Sequence, residues 1–158
     1  MSDFRLVSDF RSTADPPESV DRLRWRMPGV LATSGRPGRD KREQHSPTVE
    51  DVERWVHAAQ AMGLKTIICF LECRKLAKWY GDLYEGGLLS RYRQCGFTVF
   101  HFQAEDYEPV PEDVRRKSFT AFVSAPKPVV LQDSGGADRT GAVARYIATR
   151  LEANASHA

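Results

Sequence analysis

Residues 65–71, Lys-Thr-Ile-Ile-Cys-Phe-Leu, form an apolar run without polar alternation. A half-buried strand would alternate, so this pattern predicts a strand covered on both faces. Residues 97–102 (Phe-Thr-Val-Phe-His-Phe) and 129–131 (Val-Val-Leu) are β-branched and aromatic and predict two more strands. Residues 22–33 alternate roughly about Pro28-Gly29, which predicts a short hairpin. Helical spacing fills the intervals. Val52, Trp55, Val56, Ala59 and Met62 lie on one stripe, with Ser46 as the expected cap, Pro47 in the first position and Gly63 as the stop. Residues 73–80 and 84–95 are helical candidates, divided by the turn at Gly81 and weakened by Gly86-Gly87. Pro111 opens a helix with Glu112 and Asp113 in its first turn, where the helix dipole favours acids. Residues 140–151 make the last helix, with Val143, Ile147 and Leu151 on one stripe.

Strands alternating with helices predict an α/β fold, with a short central sheet of four or five mostly parallel strands between helices. The polar stretch 1–20, with Pro16-Pro17, is expected to be a loose arm, 21–153 a single domain and 154–158 a tail. A chain of 158 residues is long enough for one real core and too short for two domains.

Composition narrows the partners. At 41% hydrophobic and 28% charged the chain has an ordinary globular make-up, and its net charge of +2 is too small to argue for a nucleic-acid polymer. No apolar run approaches the roughly 18 residues of a membrane span, and the N-terminus lacks the basic-then-apolar order of a signal peptide. Cys69, Cys73 and Cys95 are an odd number without framework spacing, so reduced thiols in the cytoplasm are expected. His45, His57, His101 and His157 have no metal-ligand spacing.

The chemistry concentrates in residues 133–141, Asp-Ser-Gly-Gly-Ala-Asp-Arg-Thr-Gly. A strand runs into a glycine-rich loop that opens a helix, which is the layout of an anion cradle. Backbone N–H groups of Ser134, Gly135, Gly136, Ala137, Asp138, Arg139 and Thr140 can converge on one oxyanion at a helix N-terminus. The Arg139 guanidinium can grip two phosphate oxygens.

This stretch resembles the phosphate loop of cysteine-dependent tyrosine and dual-specificity phosphatases, whose pattern is His-Cys, five residues, then Arg-Ser/Thr. In that register Arg139 is the phosphate-gripping arginine and Thr140 the hydroxyl that follows it. Gln132 stands at the histidine position and Asp133 at the nucleophilic cysteine position. Upstream, Asp106-Tyr107-Glu108-Pro109 is similar to the family's Asp-aromatic-x-Pro loop, which implies that Asp106 is the general acid, with Glu105 as the fallback. Ser34-Gly35-Arg36-Pro37 is similar to an early segment of small bacterial and fungal dual-specificity-like members. Arg36 then either faces the anion or makes structural contacts beside it. Phe70-Leu71-Glu72, the turn 80–83 and Gly96-Phe97 extend the likeness over about residues 24–152.

Asp133 cannot form a phosphocysteine. A carboxylate can attack phosphorus to give an acyl phosphate, and with a reference pKa of about 4 it needs no histidine to ionise it, in agreement with Gln132. It also sets a negative charge beside a phosphate dianion. At ~4 Å and an effective dielectric near 20 that repulsion is several kcal/mol before the arginine and amides offset it. Mg²⁺ could be held by Asp133 and Asp138, but two carboxylates on one loop are a weak metal signal, and no cofactor or metal is expected. The expected function is hydrolysis of a small phosphorylated metabolite, such as a sugar or nucleotide phosphate. The alternative is a catalytically silent module that binds a phosphorylated ligand or protein. The basic residues Arg36, Arg39, Lys41 and Arg42 either steer an anionic substrate or simply face water.

Overall fold

The computed structural model describes residues 14–16, 19–39 and 45–156. Lys41, Arg42, His157 and most of the expected N-terminal arm lie outside these residues. Five strands form one sheet: β1 (Arg24–Met27), β2 (Leu31–Ser34), β3 (Thr66–Cys69), β4 (Thr98–His101) and β5 (Val129–Gln132). Their spatial order is β1-β2-β5-β3-β4, with β1 antiparallel to β2 and the other neighbours parallel. The expected hairpin is β1–β2, and the expected mostly parallel α/β sheet is present.

Among the described residues five helices cover the sheet: α1 (Val49–Ala61), α2 (Cys73–Tyr80), α3 (Gly87–Gln94), α4 (Glu112–Ser124) and α5 (Asp138–Ser156). The pleat sends alternate strand residues to opposite faces. Ala32, Ile67, Cys69 and Val130 pack with Val52, Trp55, Tyr80, Leu88 and Tyr92 of α1–α3. Leu31, Ile68, Val129 and Leu131 pack with Phe122, Val143 and Ile147 of α4 and α5. Every residue of the three central strands is buried, so none has a solvent face, and the polar Thr33, Ser34, Thr66 and Gln132 are buried with the apolar residues. β4 is an edge strand and only partly covered.

Three element boundaries differ from the sequence pattern. α1 is capped by Thr48, not Ser46, through a reciprocal pair: Asp51 N–H donates to Thr48 Oγ1 at 3.2 Å and Thr48 N–H donates to Asp51 Oδ2 at 2.9 Å. α3 begins at Gly87, because Gly86 and Gly87 take positive φ and hold residues 84–86 in a turn. α5 runs from Asp138 to Ser156, beyond the expected 140–151 at both ends. Part of the expected loose arm is held on β1, where Trp25 N–H donates to Asp15 Oδ1 at 2.7 Å and the Trp25 indole donates to the Ala14 carbonyl at 3.2 Å.

The parallel register aligns Ser34, Gln132 and Cys69 across β2, β5 and β3. The loops leaving these strands emerge side by side at the carboxyl edge, where ligand sites of parallel sheets form.

Candidate active site

The loop from Asp133 to Arg139 joins β5 to α5 and lies against the loop after β2. Gly35 and Gly135 form an isolated antiparallel bridge, and Arg36 N–H donates to the Ser134 carbonyl at 3.1 Å. Gly136 has φ +72°, and a Cβ there would lie 2.5 Å from the Gly35 nitrogen. Only glycine meets both demands at this close crossing.

Arg139 is 2% exposed and held along one side. Its Nη1 donates to the Ala104 carbonyl at 2.6 Å, to Glu72 Oε1 at 2.9 Å and to the Phe70 carbonyl at 3.4 Å. Nε and Nη2 lie on another edge of the planar group and have no hydrogen-bond partner. The nearby Thr140 Oγ1 is also buried and unpartnered. Orphaned buried donors are costly, and three around one loop are chemically suited to an oxyanion. Glu72 is buried as well. Burial would push its carboxyl up, but the hydrogen bond from Arg139 and the charges of Arg139 and Lys75 hold it below the usual value.

Asp106 lies at the same place. Its Oδ2 is 3.7 Å from Arg139 Nη2 and 3.1 Å from Lys75 Nζ, and its N–H donates to Glu72 Oε2 at 3.3 Å. Lys75 Nζ also donates to Ser134 Oγ at 3.4 Å, so this α2 lysine ties the Asp106 loop to the anion loop. Glu105 lies apart, paired with Arg74 at 3.1 Å. Arg36 is 2% exposed; it stacks on Trp79 with 4.6 Å to the ring centroid and donates to Tyr80 Oη at 3.4 Å. These are structural contacts beside the loop.

Asp133 is 2% exposed, and its carboxylate turns into the loop. Oδ2 accepts from Thr140 N–H at 3.0 Å and Oδ1 accepts from Gly136 N–H. Gln132 accepts from Tyr92 Oη at 2.7 Å and donates to the Gly35 carbonyl at 3.0 Å, forming a neutral chain below the loop. Asp138 is exposed at the start of α5. Among the described residues no group of three His, Cys, Asp or Glu side chains is placed to hold a metal ion. Cys69 is buried at the end of β3, and burial pushes its thiol up to about 12. Cys73 is exposed at the start of α2.

Sequence reasoning gave no role to Glu72 or Lys75. Glu72 did carry a signal: it is a carboxylate directly after a buried apolar strand, where a charge needs a buried partner.

No protein-family model and no curated protein matches this chain. Solved structures do. A kinase associated phosphatase, crystallised with its catalytic cysteine replaced by serine, aligns with TM-score 0.59 and 21% identity over 77% of this chain and 65% of that one. This chain thus spans just under two thirds of that protein. Tk-PTP in a glycine-to-alanine mutant form aligns with TM-score 0.59 and 14% identity over 84% of this chain and 74% of that one. The active form of Tk-PTP gives TM-score 0.50 and 16% identity, with 83% and 68% covered. The fold is that of the tyrosine phosphatases.

Proposed function

We propose that this chain binds a small phosphomonoester in the 133–140 loop and hydrolyses it with Asp133 as the nucleophile. The observation that carries the reading is the Nε and Nη2 edge of Arg139, buried, without a hydrogen-bond partner and anchored from behind by Glu72. A fork fixed on one side and unsatisfied on the other matches two phosphate oxygens. Asp106 beside that fork supports a second role, delivery of a proton to the departing alkoxide. In the proposed reaction an Asp133 oxygen lets go of its amide and attacks phosphorus. The P–O bond to the alkoxide breaks and Asp106 protonates the leaving oxygen. Water, losing a proton to the Asp106 carboxylate, then attacks phosphorus; the P–O bond to Asp133 breaks, restoring its carboxylate and releasing phosphate with Asp106 protonated again. No step needs a metal.

One observation favours a silent phosphate-binding module. Both Asp133 oxygens already accept loop amides, from Gly136 and Thr140, which an incoming phosphate would itself use. An internal carboxylate that holds the loop shut has no need to react.

Acid-quench trapping separates the two. The hydrolase reading expects a hydroxylamine-sensitive acyl phosphate on the wild-type protein and none on Asp133→Asn. It expects Arg139→Ala to lose phosphate affinity. Asp106→Asn should slow alkyl phosphates by ~10²–10⁴ and p-nitrophenyl phosphate by less, since that leaving group departs without a proton. Phosphate affinity without turnover on a broad panel of sugar and nucleotide phosphates would leave the silent module.

A further inference from the structure

A cavity of about 260 Å³ lies against the 133–140 loop, with Ser134 and Gly135 in its wall. Its other walls include Asp21, Arg22, Arg36 and Arg39. Arg139 does not line it, so it is a place separate from the Arg139 fork. Three guanidinium side chains against one carboxyl is an imbalance that a cavity beside a phosphate loop does not need for packing.

The one carboxyl is otherwise engaged. Asp21 Oδ1 accepts the Gly38 N–H at 3.1 Å, and the Arg39 backbone also hydrogen-bonds it. Its main-chain carbonyl accepts the Gly35 N–H at 2.7 Å. Asp21 thus braces the 35–39 turn from which Arg36 and Arg39 project. Among the described residues neither Arg22 nor Arg39 has a carboxylate within ion-pair distance. Arg36 spends its planar face on Trp79 and Nη1 on Tyr80, so it adds charge without a free fork. The Arg39 guanidinium packs over Gly135; a Cβ there would lie 3.5 Å from Nη1. The absence of a side chain at Gly135 lets that cation sit on the backbone of the phosphate loop.

We infer that this cavity is a second oxyanion subsite, gripped by Arg39 and Arg22, and that the substrate is a small molecule bearing two phosphates. One phosphate takes the Arg139 loop and the other crosses the Ser134–Gly135 wall. The inference rests on the phosphate-binding reading above and narrows its substrate class. It accounts for arginine, not lysine, at positions 22 and 39, since only guanidinium matches phosphate oxygens in pairs.

The test is calorimetry with paired synthetic probes, the monophosphate and the bisphosphate of each diol from ethanediol to butanediol, against wild type, Arg39→Ala and Arg22→Ala/Arg39→Ala. A charge-assisted contact to the second phosphate predicts that at least one bisphosphate binds wild type about tenfold or more tighter than its monophosphate. Arg39→Ala should bring that ratio down, and the double variant should bring it close to one. A wild-type ratio of one at every spacing overturns the inference while leaving the loop reading in place. So does a high ratio that survives in the double variant. If neither probe binds wild type, the loop reading fails and the inference falls with it.

Discussion

Glu72 decides whether Arg139 can serve as a fork. It is 1% exposed and bonds Nη1 at 2.9 Å, so the guanidinium is neutralised from behind while Nε and Nη2 are left without a hydrogen-bond partner, Asp106 Oδ2 lying 3.7 Å from Nη2. Removing one partner of a buried ion pair strands the other's charge, typically at ~3–5 kcal/mol. Glu72→Ala is therefore expected to destabilise the protein by about that amount in urea unfolding, well beyond an exposed carboxylate such as Glu152. Glu72 also favours folding at neutral pH: its carboxyl is held below the usual value, so its contribution fades as pH falls through the folded value. Asp21 has the opposite sign. Burial, its leading cause, raises its carboxyl from 3.8 to about 6, so the folded state binds the proton more tightly than the unfolded chain. Stability from this residue is full below about pH 4 and falls as pH rises towards 6, by roughly 3 kcal/mol at most. Asp21→Asn keeps an acceptor for Gly38 and loses the titration. The stability of the wild type relative to this variant should drop across that window, and a flat difference would remove Asp21 as the titrating group.

Among the elements, α1 shows how cap chemistry overrides composition. Ser46-Pro47 has the residues of a helix start, yet Thr48 with Asp51 three residues on supplies the reciprocal pair that satisfies two end amides. Thr48→Ala should cost about 1 kcal/mol by thermal or urea unfolding, and Ser46→Ala close to nothing. β3 and β5 were legible because burial on both faces lets apolar residues follow one another at 67–69 and 129–131. α2 was legible to the residue, since Cys73–Tyr80 lies between a strand end and a glycine. α3 was not, because positive-φ glycines at 86 and 87 shorten it in a way that spacing alone does not reveal. In the site, the strand-loop-helix path through 129–140 was legible from one contiguous segment. Lys75 was not: it meets Asp106 and Ser134 from a helix 31 and 59 residues away in sequence, and nothing local marks this lysine as a clasp.

At the scale of the molecule, the in-register carboxyl ends of β2, β5 and β3 bring the 35–39 turn, the anion loop and Glu72 to one edge, and Lys75 and Arg139 bind the Asp106 loop to them. The site is thus assembled by backbone topology first and side chains second. Within it, Asp133 caps the start of α5 with a charge belonging to the chain itself, bonded to Gly136 and Thr140 N–H. A loop of bare amides would wait for solute to order it. This one carries its own counter-anion, so its closed shape is a property of the polypeptide and not of the buffer. Hydrogen exchange makes the distinction visible: the Gly136 and Thr140 amides should exchange slowly in phosphate-free solution, and Asp133→Ala should make their protection depend on added phosphate.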